Sequence, residues 1–96
     1  MILVQNHIPV RKEYAKQFED AFRSSQTDMK GVVGFIRTES LRPVKGNEYI
    51  VATYWKSIED FNQWVGSDKF RSSHSKSSLP RDAFEGQSAI TLHEIV

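Results

Sequence analysis

The chain contains no cysteine, which excludes disulfides, thiolate metal sites, iron–sulfur clusters and a cysteine nucleophile together. Any metal or cofactor must then be held by histidine, carboxylate or oxygen ligands, and the histidines are three: His7, His74 and His93. No apolar run approaches the roughly 20 residues of a membrane-spanning helix. The apolar opening from Met1 to Val4 is broken by Gln5, Asn6 and His7, with no basic segment or cleavage site of a secretory signal around it. A cytoplasmic protein without a membrane partner is expected. Charge of one sign is lacking too: 13 basic and 12 acidic residues leave a net charge of +1 and no run long enough to serve as a nucleic-acid arm. Gly-x-Ser-x-Gly, Gly-x-Gly-x-x-Gly and phosphate-loop motifs are missing, so hydrolase, dinucleotide-binding and kinase readings have no starting point.

What is present reads as one domain over residues 1–96, small enough that oligomerisation is a natural way to bury more surface. Residues 2–8 alternate, with Ile2, Val4, Asn6 and Ile8 on one face and Leu3, Gln5 and His7 on the other, as a strand requires. From Arg11 to about Thr27, Tyr14, Phe18, Ala21 and Phe22 recur at helical spacing among charged residues, which predicts an amphipathic helix. Gly31 and Gly34 lead into a strand over 35–41; the Pro, Gly and Asn of 42–47 supply a turn, and 48–55 is rich in β-branched and aromatic residues, so 35–55 predicts a hairpin. Ser57 caps a second helix through Phe61, Trp64 and Val65 that Gly66 ends, and a short helix carrying Phe70 and His74 follows. The serine-rich stretch 75–86 reads as a long loop of the kind that often serves as a lid or binding segment, and 89–96 as a last strand. The order is β-α-β-β-α-β, an α+β, ferredoxin-like antiparallel sheet with both helices on one face. Its other face carries apolar residues and needs a cover, which a second copy provides if two sheets pair into a barrel.

Three residues stand out within this frame. Asn6 shares a strand face with Ile2, Val4 and Ile8, so its carboxamide needs partners or a functional reason; taken alone it reads as a satisfied buried asparagine. Trp64 and Trp55, taken alone, read as core packing. His74 follows Phe70 by four residues, so a face anchored by Phe70 also turns the imidazole inward, where its neutral nitrogen suits iron; taken alone it reads as a hydrogen-bonding surface or core histidine. Arg71, Lys76 and Arg81 flank His74 and are either solvated or available to carboxylates of a ligand. His7 points away from Asn6, and His93 has Thr91 and Ile95 as same-face neighbours, so a multi-histidine metal site is poorly supported.

The Asn-bearing first strand, Gly34-Phe35, the step Tyr54-Trp55-Lys56-Ser57 and Phe61-Asn62-Gln63-Trp64 together resemble the antibiotic-biosynthesis-monooxygenase superfamily over nearly the whole chain. The segment from Trp64 to His74, a helix tryptophan followed ten positions later by histidine, is similar to the IsdG-type haem-degrading branch, whose Asn/Trp/His set Asn6 completes. The resemblance implies a homodimeric α+β barrel with haem as both substrate and cofactor. It implies that His74 ligates the iron, that Trp64 presses the porphyrin out of plane and that Asn6 hydrogen-bonds on the distal side, with Phe70, Arg71, Lys76 and Arg81 around the ligand. Distortion of the macrocycle makes one of its meso carbons the oxidised site. Dioxygen and electrons must come from outside, through a reductase or a small-molecule reductant. After His74 the chain departs from any recognisable propionate-binding pattern. Two other readings share the scaffold: a cofactor-independent monooxygenase of an aromatic quinol or polyketide-like substrate, which needs Asn6 and Trp64 but not His74, and a haem-binding protein that does not turn haem over.

Overall fold

A computed structural model describes residues 1–25, 29, 31–68 and 79–96, with the backbone alone at 24, 25 and 81. Strand β1 (Ile2–Pro9) is followed by a 3₁₀ turn (Lys12–Tyr14) that runs into helix α1 (Ala15–Ser25), by strands β2 (Phe35–Leu41) and β3 (Glu48–Trp55), helix α2 (Ile58–Val65), a second 3₁₀ turn (Arg81–Ala83) and strand β4 (Ala89–Glu94). The strands form one antiparallel sheet in the order β2-β3-β1-β4. Among the described residues the order of strands and the two main helices is that which the periodicity predicts, and the short helix expected to carry Phe70 and His74 lies outside them. The first helix differs in that its opening turn is 3₁₀.

Register decides which residues share a face. Ile2, Val4, Asn6 and Ile8 lie opposite Trp55, Thr53, Val51 and Tyr49, and alternate residues of a strand point the same way. The helices cover this face in two separate clusters. Val4, Trp55 and Phe61 are buried together with Ile58 and Trp64 of α2 against them, at the end of the sheet where β1 begins. Val10, Phe18 and Tyr49 are buried together with Tyr14 and Ala15 against them, at the end where β1 finishes. The cross-strand row of Asn6 runs Ser40, Val51, Asn6, Ile90 over all four strands; Val51 packs against the second cluster, and Asn6 belongs to neither.

Each helix is held by identifiable chemistry. Ser57 has extended backbone and its hydroxyl accepts from the Asp60 amide at 3.2 Å, while Glu59 and Asp60 place negative charge in the first turn of α2, where the helix dipole favours it. Trp55 has no exposed surface, and Phe35, Phe61 and Trp64 surround it with ring centroids 5.5–5.6 Å away. Its indole N–H donates to the Thr53 hydroxyl at 2.9 Å, which satisfies the one polar atom it buries. Helix α1 is tied to the β2–β3 hairpin by Glu19, whose carboxylate accepts from both ends of the Arg42 guanidinium and from the Tyr49 hydroxyl.

The bonds from Arg42, and next that from Tyr49, hold the Glu19 carboxyl at a pKa of about 2, below its usual 4.5. Burial, and then the bond to Glu19, pushes the Tyr49 phenol up. Because the folded-state value of Glu19 is depressed, this tie adds stability above pH 4.5 and loses it as the pH falls toward 2. Glu19→Gln is expected to be less stable than the parent chain at pH 7 and to approach it at pH 2. Urea midpoints across that range check this; two parallel curves would show that the tie adds no pH-dependent stability.

Of the stretch predicted as a loop over 75–86, the described residues 79–86 include regular structure. Residues 81–83 form the 3₁₀ turn, Phe84 pairs with Val10, the Arg11 amide donates to the Ala83 carbonyl at 2.7 Å, and that of Glu85 to Pro9 at 3.0 Å. Ala83 is fully buried. This docking rests on one small and one aromatic side chain without strand or helix spacing, so periodicity does not reveal it. On the reverse face of the sheet, Leu3, Gln5 and His7 of β1 pair with Tyr54, Ala52 and Ile50, and neither helix cluster includes any of them.

Candidate active site

Asn6 occupies the middle of β1 on the helix side, in the row of Ser40, Val51 and Ile90. Its Oδ1 is buried and, among the described residues, has no hydrogen-bond partner. An unpaired buried carbonyl costs about 1–3 kcal/mol, and native proteins keep such groups where a ligand or mechanism uses them. The sequence singles out Asn6 for its place on an apolar face. The structure adds that Asn6 belongs to neither helix cluster and that its carboxamide has acceptor capacity left over among the described residues.

Asn6→Leu is therefore expected to stabilise the ligand-free protein while impairing its chemistry. Removing an unsatisfied acceptor at constant volume should gain about 1 kcal/mol, and hence roughly 4–8 °C in melting temperature for a domain of this size. Calorimetry on the ligand-free variant measures this. A melting point equal to or below that of the parent chain would mean that the carbonyl is satisfied in solution.

Trp64 is half-buried on α2, with its ring 5.5 Å from that of Trp55 and 6.4 Å from that of Phe61. It also lines a cavity of about 240 Å³ with Val32, Val33 and Gln63. Trp55 lies opposite Ile2, and four residues of strand separate Ile2 from Asn6, about 13 Å. Trp64 and Asn6 thus stand on the same side of the sheet, one over its end and one in its central row. Phe70, Arg71, His74 and Lys76, and the side chain of Arg81, lie outside the described residues.

The other two histidines belong elsewhere. On the reverse face, His7 Nδ1 and Nε2 are 2.9 Å from Glu48 Oε1 and 3.1 Å from the Thr91 hydroxyl. His93 is exposed and lies opposite Leu3, on that same face. Among the described residues no group of three or more His, Asp or Glu side chains is placed to hold a metal ion. The groups on the helix side, a carboxamide among apolar and aromatic side chains, suit a largely apolar ligand with a few polar contacts.

One feature escapes sequence reasoning. A cavity of about 380 Å³ opens between α1 and the hairpin, lined by Glu19, Phe22, Arg23, Ser40, Arg42 and Tyr49. Ser40 is also the β2 end of the row that contains Asn6, so the cavity adjoins the candidate site. Its lining comes from two segments far apart in the chain, α1 and the β2–β3 hairpin. Only the turn chemistry around Arg42 and the charged face of α1 are visible in the sequence.

Comparison with known proteins agrees with this geometry. Residues 1–76 match the family described as antibiotic biosynthesis monooxygenase. A staphylobilin-producing haem oxygenase of Staphylococcus epidermidis is 31% identical over 85 residues, covering 86% of this chain and 82% of its own. The haem degrader MhuD of Mycobacterium tuberculosis, solved with two haems bound in its active site, superposes with a TM-score of 0.85 at 26% identity over 100% of this chain and 96% of its own. A mutant of SnoaB, a cofactor-independent oxygenase from Streptomyces nogalater, superposes with a TM-score of 0.75 at 21% identity over 98% of this chain and 91% of its own, a likeness of fold alone. No helix among the described residues is long and apolar enough to cross a membrane. The chain belongs to the antibiotic biosynthesis monooxygenase family and, within it, to the IsdG-type haem-degrading branch.

Proposed function

We propose that this protein is a haem-degrading monooxygenase whose substrate lies over the helix side of the sheet, held by His74, shaped by Trp64 and met from the sheet by Asn6. The observation that carries the reading is the buried Asn6 Oδ1, without a partner among the described residues, on the helix side and outside both helix clusters. The names of the relatives, a haem oxygenase and a haem degrader, support it.

Haem, as substrate, supplies both the iron that activates dioxygen and the carbon that is oxidised. The neutral imidazole of His74 holds it from one side. Trp64, backed by the fully buried Trp55, is a rigid surface against which a planar ring can be bent. The Asn6 carboxamide is a hydrogen-bonding group of the sheet on this side, able to turn its oxygen or its NH₂ toward the reacting centre. Phe70, Arg71, Lys76 and Arg81 complete the ligand surroundings in this reading. Electrons come from an external reductase or small molecule, in a reducing cytoplasmic setting. The reverse face of the sheet, with Leu41 exposed and Leu3, Ile50 and Tyr54 partly so, is the surface for a second copy, giving a homodimer.

The test is a haem titration of the purified protein, followed by ascorbate in air while the Soret band is watched. Saturation at one haem per subunit and then decay of the band with release of iron is the expected result. A stable band would instead identify a haem carrier, and the absence of any band would return the choice to a cofactor-independent oxygenase.

A further inference from the structure

We infer that the Thr53 hydroxyl donates a hydrogen bond to the oxygen placed on the bound macrocycle, and so selects which meso carbon is oxidised. The inference rests on the haem reading above and adds the residue that directs the position of attack.

Thr53 lies between the groups already assigned to the site. On the helix side of β3 it is two residues from Trp55, on which Trp64 packs, and two residues from Val51, the β3 partner of Asn6. Its own row runs Thr38, Thr53, Val4 and Leu92 over the four strands. One strand spacing and one two-residue step separate it from Asn6, about 8 Å. Val4 beside it is buried, whereas Thr53 keeps part of its surface, so a ligand reaching from Trp64 to Asn6 passes over it.

Thr53 and Thr38 use their hydroxyls in opposite ways. Thr38 gives its proton to the Ala52 carbonyl at 3.2 Å. Thr53 instead accepts, at 2.9 Å, from the indole N–H of Trp55, a group that can only donate. A hydroxyl also carries one proton of its own, and among the described residues no acceptor takes that of Thr53. The fully buried indole and a branched side chain stiff at χ1 hold the oxygen in place. The sheet therefore presents an oriented hydroxyl with a proton to give.

Intact haem offers that proton nothing along its ring edge, which carries no hydrogen-bond acceptor apart from the carboxylates. An acceptor arises when a meso C–H becomes C–OH. One atom of dioxygen enters the ring, the other leaves as water with two protons, and the external reductant supplies two electrons. A hydrogen bond made to the oxygenated ring and not to the substrate speeds the step that forms it. The meso carbon nearest Thr53 is thus favoured over the others.

The experiment titrates haem and the synthetic meso-hydroxyhaem isomers, without oxygen, into the parent chain, Thr53→Val and Thr53→Ser. The parent chain is expected to bind one isomer about 5-fold more tightly than haem, the size of one neutral hydrogen bond. Thr53→Val should lose that preference at an unchanged affinity for haem, and Thr53→Ser, which keeps the hydroxyl, should retain it. After turnover in air with ascorbate, the ring-opened product cleaved at that carbon should fall about 5-fold relative to its isomers in Thr53→Val alone. Equal losses for haem and meso-hydroxyhaem in Thr53→Val would reveal a packing role through Trp55 and overturn the inference. A parent chain without the preference, or an unchanged isomer ratio in Thr53→Val, overturns it too and leaves the haem reading standing. A parent chain that binds no ligand of the set overturns the haem reading with it.

Discussion

His74→Ala is expected to lose haem turnover altogether, together with the iron–imidazole signature of the bound state. Imidazole is the strong neutral donor of this chain: there is no cysteine, and the other two histidines, His7 and His93, lie on the reverse face of the sheet. Loss of the axial ligand leaves hydrophobic burial and carboxylate contacts to hold the ring, so some binding survives while the iron loses the donor that sets its electronic state. Soret position, the iron–imidazole stretch and the decay rate in air with ascorbate measure the three effects. The thermal midpoint of the haem-free variant serves as the control for folding. Retained turnover would dismiss His74 as the ligand, and an intact iron–imidazole signature would transfer the role to another histidine.

The largest expected effect on stability comes from Gly34→Ala. Gly34 has φ +81°, a left-handed conformation that costs an L-residue about 1–2 kcal/mol. An added Cβ would also lie 2.2 Å from Asp60 Oδ2 and 2.4 Å from Asp60 Cβ, so rotating the carboxylate away does not relieve the clash. Together these costs are about 2–4 kcal/mol, or a fall of roughly 10–20 °C in melting temperature. Gly31→Ala separates the two terms. Gly31 has φ +84° with nothing within 4 Å of an added Cβ, so only the backbone cost applies there. Because Asp60 sits in the capped first turn of α2, displacing it tilts the helix that carries Trp64. Haem degradation should therefore slow in Gly34→Ala and hold in Gly31→Ala. Equal melting points for the two variants would rule out the contact with Asp60 as the source of the effect.

Asn6 shows how far local sequence reaches. Its position on the apolar side of β1 follows from alternation alone, because the two-residue period of a strand leaves no freedom once Ile2, Val4 and Ile8 face the helices. The same local physics announces α2, through the Ser57 cap and Gly66. It does not announce that Asn6 belongs to neither helix cluster, since that depends on where α1 and α2 land on the sheet. Nor does it reveal the tie of Glu19 to Arg42 and Tyr49, which joins residues 23 and 30 positions apart, or the docking of Ala83 and Phe84 against the end of β1.

The sequence by itself determined the order of the strands and the two main helices, the Ser57 cap and the faces of the strands, because these depend on backbone periodicity and on neighbours a few residues away. Only the tertiary structure decided that Ser40, Val51, Asn6 and Ile90 form one row. That the row meets the ion-paired cavity of Glu19, Arg23 and Arg42 at its Ser40 end and exposed apolar side chains at its Ile90 end arises from strand register and helix placement, which are chosen by the burial of the two aromatic clusters as wholes rather than by any local stretch of chain.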